Sequence, residues 1–365
     1  MALKLAPTDS ETVDGMKLGI LRFEDGFFPR IWGGRKLADL FGKPLPPDRR
    51  IGEAWLIADH SVHESIVADG PHSGRTLHHL VHDFPAALFG RLATPTPFGR
   101  FPLLLKLLDA REALSVQVHP DDACAASLAE PDTGKTEMWY VLDSGPASEL
   151  ICGLDGGLGR EAFAAAVAGN AIAHYLKRHP VERGTALFVP AGIVHALGAG
   201  VVLAEIQQNS DLTYRIYDWG RMESNGKPRA LHVEKALKAI HFGEIHPGPV
   251  LPLLYEHGNA RRAVLAACPY FAAERVELQG MVECRTYGDS FHIVLAVKGL
   301  LALEGIVLHP GEAAIVPAEF PTFTASGTGL FLDYYVPDFE RDIRRPLMQA
   351  GHPATLIDTI LHEKR

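Results

Sequence analysis

The 365-residue chain is short of cysteine, of net positive charge and of long apolar stretches, and each shortage removes a class of function. Its four cysteines, Cys124, Cys152, Cys268 and Cys284, lie far apart and form no Cys-x-x-Cys pair. That argues against a disulfide-stapled scaffold and against a thiolate zinc site; free thiols in a reducing cytoplasm are the expected state. Lys and Arg number 35 against 44 Asp and Glu, a formal net charge of −9. Nucleic-acid binders usually carry a basic stripe, and none is visible. An anionic ligand would therefore need a local cluster of Lys and Arg. No apolar run approaches the roughly 18–20 residues that span a bilayer. The opening residues, 1–15, are polar and lack the apolar stretch of a signal peptide. A cytoplasmic protein with no membrane or nucleic-acid partner, monomeric or homodimeric, is expected.

What is present is a chain with 47% hydrophobic and 22% charged residues, enough for a substantial core, and its length predicts division into two domains. Gly and Pro punctuate it throughout, with short apolar runs between them at 101–108, 114–118, 138–142, 186–189 and 201–206. The same texture returns at 291–297, 300–303, 313–316 and 330–336. Many short strands joined by Gly/Pro turns read as a sandwich or jelly roll. Helical signals are fewer: 77–88 with Pro85 interrupting it, the Ala-rich stretch 160–167, the amphipathic stretch 232–240, and the charged tail 339–365.

Two stretches share the form Gly, five residues, Pro: Gly184 to Pro190 and Gly311 to Pro317, about 127 residues apart. Two related β-domains explain the spacing better than a solenoid. The linker is placed at 246–254, where three prolines cluster.

Of the 18 histidines, most must be solvated or structural. His60, His63, His72, His78, His79 and His82 crowd the N-terminal third without a recognisable ligand spacing, and surface roles are expected for them. Two other stretches differ. In Ser115-Val-Gln117-Val-His119-Pro120, Gln117 and His119 share one face of a strand while Val116 and Val118 point opposite. Glu137 follows eighteen positions after His119, and a neighbouring strand would bring it alongside. The second stretch runs from Gly184 through a strand and a Pro-Ala-Gly turn to His195.

This wording resembles the cupin superfamily, whose second motif, Gly-x5-Pro-x-Gly-x2-His, is met from Gly184 to His195. Its usual final Asn is replaced by Ala199, and Gln117 stands where the first motif has its first His. Cupins are double-stranded β-helices whose His and Glu side chains converge on one metal inside the barrel. In the second Gly-x5-Pro copy, Pro317 is followed by Ala318, Glu319, Phe320 and Pro321, with no histidine in the ligand place. The expectation is a mainly β fold of two cupin-like jelly-roll domains with a few helices and metal in the first barrel only. The divisions are 1–17, an N-terminal extension; 18–245, the catalytic barrel with helical insertions; 246–337, the metal-free barrel; and 338–365, a helical tail.

Longer blocks narrow the resemblance. Trp32-Gly-Gly-Arg-Lys-Leu37, Ile51-Gly-Glu-Ala-Trp55, Phe101-Pro-Leu-Leu-Leu-Lys-Leu-Leu-Asp109, Val118-His-Pro-Asp-Asp122, Gly134-Lys-Thr-Glu-Met-Trp-Tyr140 and the run from Leu203 to Trp219 occur in order. Together they are similar to type I mannose-6-phosphate isomerases, closest to the shorter bacterial branch, over about 18–335. The resemblance implies a sugar-phosphate substrate and one divalent ion per chain, zinc or a related metal, on His119, Glu137 and His195. Gln117 matches a ligand of the longer branch. The family's active-site Lys, Arg and acids map to Lys106, Lys135, Arg215, Glu205, Asp211 and Glu53, with Trp32 and Ser115 joining the substrate-binding set. Leu197 stands where the longer branch has an aromatic residue.

The implied reaction is aldose–ketose interconversion of mannose 6-phosphate and fructose 6-phosphate through a cis-enediol(ate). Glu205 is the expected proton-transfer base, Lys135 its rival, and Arg215 the group that stabilises the enediolate or grips the phosphate. Plainer readings stand beside these: Glu205 and Arg215 as a structural ion pair, Lys106 as a surface lysine, Trp32 as packing, Glu53 in a turn salt bridge. At the level of function the rivals are an isomerase or epimerase on another sugar or sugar phosphate, a non-catalytic sugar-binding regulatory cupin, and a cupin oxygenase. Keeping Lys106, Lys135 and Arg215 together favours a phosphorylated substrate.

Overall fold

Strand Leu103–Ala110, with the sequence LLLKLLDA, is buried at every position, as a strand covered on both faces must be. Leu103, Leu105 and Leu107 join a core cluster on one side, while Leu108 and Ala110 join a different cluster on the other. Those two faces explain the layering of the molecule. The structure is a computed structural model that describes residues 17–155, 158–223, 226–243 and 247–363.

The strand lies in a six-stranded sheet in the order Ala186–Val189, Glu137–Asp143, Val201–Gln208, Leu103–Ala110, Gly26–Gly34, Ile51–Ile57, where the last also pairs with Leu103–Ala110. A five-stranded sheet, in the order Leu176–Pro180, Glu149–Leu154, His195–Leu197, Val116–Val118, Tyr214–Tyr217, faces its inner side. Leu108, Trp139 and Leu203 of the first sheet pack there against Leu150, Cys152 and Leu197 of the second. The outer face of the five-stranded sheet is covered by helices Arg160–Ala168 and Val233–Ala239, which bury Phe163, Ala166, Ala236 and Ala239 against Val116, Ile151 and Ala196.

The outer face of the six-stranded sheet meets a third sheet of eight strands, whose order is Leu21–Arg22, Ala313–Val316, His292–Leu303, Thr322–Tyr335, Ala272–Arg285, Ala260–Ala267, Leu253–His257, with Ile306–Leu308 paired to His292–Leu303. Leu105, Met138 and Ile206 pack against Leu265, Phe271, Phe291 and Leu332 across that junction. The opposite side of the third sheet encloses its own core around Val276, Leu303, Phe323 and Phe331. Strand Leu21–Arg22 comes from the segment ahead of the first two sheets yet pairs with Ala314 and Ile315 of the third.

Most strand-length runs read from the sequence are strands. The runs at 291–297 and 300–303 are one continuous strand, His292–Leu303, bent by a register shift between Ala296 and Lys298 where it pairs with Thr322–Tyr335. Pro85 divides the helical stretch into Leu77–Asp83 and Pro85–Phe89. The tail from 339 is helical in short pieces, and Ile343, Leu347 and Ile357 pack on Leu253, Val264 and Tyr335. Of the proline-rich linker, His246 lies outside the described residues; Pro249 bridges Leu187 at the edge of the six-stranded sheet.

The surface assignment of the N-terminal histidines is corrected at two positions. His60 is 3% and His72 1% exposed. His60 Nε2 meets Asp132 Oδ2 at 3.0 Å, and His72 Nε2 meets the Lys17 carbonyl at 3.1 Å, so both are satisfied internal polar groups.

Candidate metal centre and active site

His119 and His195 come from the five-stranded sheet and Glu137 from the six-stranded sheet, so the site is built across the gap between two layers. His119 follows strand Val116–Val118, and His195 opens the strand that pairs with it, opposite Gln117. Between Pro190 and His195 the chain turns at Gly192, whose φ is +85° and where a Cβ would come within 2.6 Å of the His241 ring. Only glycine fits both conditions. The Gly192 N–H donates to the His119 carbonyl at 2.8 Å, tying the two histidine-bearing loops together.

The three ligating groups lie within 4.8 Å of one another. Glu137 is 0%, His119 1% and His195 1% exposed. His119 Nδ1 donates to the Leu212 carbonyl at 2.6 Å and His195 Nδ1 to the Ile193 carbonyl at 2.8 Å. With Nδ1 carrying the proton, each neutral ring presents a lone pair at Nε2, and the two Nε2 atoms are 3.1 Å apart. They stand 3.5 and 3.4 Å from the Glu137 oxygens. Among the described residues, Glu137 Oε1 receives no hydrogen bond, and Oε2 faces the Lys135 ammonium, 2.7 Å away, besides His119.

Burial holds His119 well below the usual imidazole range, helped by the Lys135 and His195 charges, and burial takes His195 down to about 4. Two neutral imidazoles and a carboxylate short of donors fit a divalent cation, with the backbone carbonyls behind the rings fixing their tautomers. These donor types suit zinc, iron and manganese alike. Gln117 Nε2 lies 3.3 Å from His195 Nε2, at the edge of the same cluster.

From this end a row of alternating charge crosses the six-stranded sheet. Lys135 Nζ is 2.7 Å from Glu137 and 4.0 Å from Glu205 Oε1; Lys106 Nζ is 3.6 Å from Glu205 and 3.9 Å from Glu53; Arg30 Nε is 2.6 Å from Glu53. Strand register sets the row: Glu205 pairs with both Lys106 and Trp139, and Lys106 with Trp55. The tryptophans complete the two acids, Trp139 Nε1 donating to Glu205 at 2.9 Å and Trp55 Nε1 to Glu53 at 2.8 Å.

The two carboxylates differ. Burial would raise Glu53, but Lys106 and Arg30 outweigh it and hold it at about 2. Burial prevails at Glu205 over the Lys135 and Lys106 charges, and its pKa is raised. Burial would lower Lys135, yet Glu137 and Glu205 more than offset this and hold it above the ordinary lysine range. A cation seated on Glu137 would compete for that carboxylate and pull the ammonium back down.

A cleft of about 410 Å³ opens over this row and is lined by Trp32, Glu53, Lys106, Ser115, Gln117, Lys135, Glu205, Asp211 and Arg215. Every residue expected to bind substrate or do chemistry is therefore in one place. Arg215 Nε is 3.3 Å from Ser115 Oγ, and its Nη1 donates to the Ala230 carbonyl at 2.9 Å. The ion pairs of Glu205 run to Lys106 and Lys135, rather than to Arg215. Lys106 is 3% exposed and is no surface lysine. Trp32 both packs in the core between the two facing sheets and lines the cleft, and Leu197 occupies the cleft wall. Glu53 does make an ion pair, with Arg30, but from a central strand position rather than a turn.

Sequence reasoning missed Arg30, Trp55, Trp139, Thr213 and Arg229. Period-two alternation could have found three of them, since Arg30 precedes Trp32 by two, Trp55 follows Glu53 by two, and Trp139 follows Glu137 by two. Arg229, held on Asp218 by hydrogen bonds of 2.7 and 2.5 Å, carries no such signal.

A mainly β fold with a buried His–Glu–His set between two facing sheets defines a cupin-type protein with a candidate site for one divalent ion. Comparison with known proteins takes this further. The family model for the catalytic domain of type I phosphomannose isomerase matches residues 20–139. A Bacillus subtilis protein named a probable mannose-6-phosphate isomerase is 38% identical over 319 residues, covering 86% of this chain and 98% of that one. The mannose-6-phosphate isomerase of Streptococcus mutans is 34% identical, covering 82% and 92%. The crystal structure of the mannose 6-phosphate isomerase from Bacillus subtilis superposes with a TM-score of 0.78 at 33% identity, over 87% of this chain and 99% of that one. The chain belongs to the type I mannose-6-phosphate isomerase family.

Proposed function

We propose that this chain is an enzyme that interconverts mannose 6-phosphate and fructose 6-phosphate, by moving a proton between C2 and C1 through a cis-enediol(ate). The observation that carries the reading is a cleft lined by a raised carboxylate and a cluster of cations, with the buried His–Glu–His set directly behind its lining residues Lys135 and Gln117. His119, Glu137 and His195 would hold the ion, with Gln117 as a fourth contact, and zinc is the ion we assign. When bound, such an ion supplies Lewis-acid polarisation of a substrate oxygen.

The protein groups divide the remaining work. Glu205 takes the proton from C2 and returns it at C1; its raised pKa makes the carboxylate a stronger base, a contribution of about 10²–10⁴-fold for a positioned base. Lys135 and Lys106 flank Glu205 and favour its ionised form against burial. Arg215 and Ser115, adjacent at the mouth, grip the phosphate, where a planar guanidinium fork suits its oxygens. Asp211, exposed at the cleft rim, and Trp32 in its wall meet the sugar hydroxyls and ring face.

The same reading places the ion in the first of two barrels, divided near 245/246, and the enzyme in the cytoplasm, which the four free cysteines support. Among the described residues, no helix is long and apolar enough to cross a membrane. A substrate panel tests the function. Mannose 6-phosphate should turn over at a kcat/KM at least about a hundredfold above free mannose, because removing the phosphate leaves the Arg215 guanidinium without its anionic partner. Equal turnover of free mannose would overturn the assignment of phosphate to Arg215 and Ser115.

A further inference from the structure

Helix Leu77–Asp83 buries Leu77, Leu80 and Val81 and turns its other side outward. On that side His78 and His82, four residues apart and so neighbours on the helix surface, bring their Nε2 atoms to 3.2 Å. The His78 ring is fixed from behind, since its Nδ1 lies 3.1 Å from Oδ1 of Asp59, a carboxylate that is wholly buried. Asp59 is itself held by the Phe101 N–H at 2.8 Å and Arg100 Nη1 at 3.1 Å. Its oxygens are thus committed inward, and the proton they attract sits on His78 Nδ1. The lone pair of His78 is then on Nε2, facing His82.

A carboxylate behind an imidazole whose far nitrogen is bare is the arrangement that orients metal-ligating histidines. The spacing agrees. Two nitrogens bound tetrahedrally at about 2.0–2.1 Å stand about 3.3 Å apart. The candidate ligands in the barrel, His119 and His195, show 3.1 Å. Without the ion, an imidazole–imidazole hydrogen bond from His82 Nε2–H to the His78 Nε2 lone pair gives the same distance, and binding replaces that hydrogen bond with the shared ion.

We propose that His78 and His82 form a second divalent-metal site on the surface of this chain, taking zinc or another imidazole-preferring ion. His78 and His82 supply two nitrogens, water completes the coordination, and Asp59 orients His78 without touching the ion. On binding, His82 gives Nε2 to the ion and carries its ring proton on Nδ1. Glu64 lies 3.5 Å from Arg100 and within 4.8 Å of the Asp59 and His78 ligand atoms, at the edge of the same cluster. With two protein ligands and an open face, this site binds more weakly than the buried one and empties first in the presence of a chelator. Hard cations such as magnesium, which prefer oxygen, are refused.

The test is calorimetric titration of the untagged protein, already holding one equivalent of zinc, with zinc chloride, cobalt chloride and magnesium chloride. Wild type and the neighbouring surface variant His79→Ala should take one further equivalent of zinc or cobalt and none of magnesium. His82→Ala should lose that equivalent, or bind it at least tenfold more weakly, with turnover unchanged because His82 stands outside the cleft. A wild type that takes no further zinc, or a His82→Ala variant that binds it as wild type does, would overturn the proposal.

Discussion

Lys106 and Glu205 stand directly opposite each other on adjacent antiparallel strands, with Nζ 3.6 Å from Oε1, and neither is more than a few per cent exposed. This pair is the middle of a row that runs Arg30, Glu53, Lys106, Glu205, Lys135, Glu137, alternating in sign. Buried charges are tolerated when each has opposite neighbours, and removing one partner strands the others. The row therefore joins the cleft to the candidate metal ligands through electrostatics as well as through strand register.

Lys106→Met should destabilise the protein, because it leaves two buried carboxylates facing each other across the vacated position. Breaking a buried pair costs about 3–5 kcal/mol. Urea denaturation should show a lowered midpoint with an unchanged slope, and activity should fall as well. An unchanged midpoint would mean that the row contributes nothing to stability.

Glu205→Gln keeps the shape and the Trp139 hydrogen bond while removing the base. It should lower kcat by about 10²–10⁴-fold with metal content unchanged by elemental analysis. A variant that retained wild-type kcat would move the proton-transfer role to Lys135.

Arg215→Ala and His195→Ala should separate substrate binding from metal binding. His195→Ala removes a buried ligand and should lose both bound metal and activity. Arg215→Ala should keep near-stoichiometric metal while kcat/KM collapses by at least a hundredfold, since a charged hydrogen-bond partner is lost. Gln117→Ala should weaken metal affinity by about 10–100-fold, the usual effect of disturbing a group that supports the ligands. Competition with a calibrated chelator reads this directly.

A pH effect is expected far from the cleft. In the third sheet, Asp333 is buried and bonded by His292 Nδ1 at 2.8 Å and Arg262 Nη2 at 3.0 Å. Burial would raise its pKa, but the His292 and Arg262 charges outweigh burial and lower it. A carboxyl with a lowered folded-state pKa contributes stability that is complete above its unfolded value, near 3.8, and is lost as pH falls through the folded value. Wild type should lose stability in that acid range more steeply than Asp333→Asn, which starts weaker at neutral pH. Parallel pH profiles of the unfolding midpoint would contradict this account.

The clustering of His119, Glu137 and His195 was legible because it sits in local patterns: a strand alternation at Gln117 and His119, and a Gly-x5-Pro turn before His195. The charge row was only half legible. Glu53, Lys106, Glu205, Lys135 and Glu137 were found and Arg30 was not, but their order across the sheet depends on which strands are neighbours, and Leu103–Ala110 lies between strands far away in sequence. The buried state of His60 and His72 was hidden for the same reason, since their partners, Asp132 and Lys17, are distant in the chain. The single bent strand His292–Leu303 read as two because Lys298-Gly299 interrupts its apolar pattern at an exposed bend.

The most direct test of the central claim is a coupled assay in which mannose 6-phosphate is supplied and fructose 6-phosphate formation is followed, before and after chelation and after zinc is restored. The account predicts turnover that chelation abolishes and zinc recovers. A folded, fully metallated protein that forms no fructose 6-phosphate, or turnover that persists after the barrel metal is removed, would contradict it.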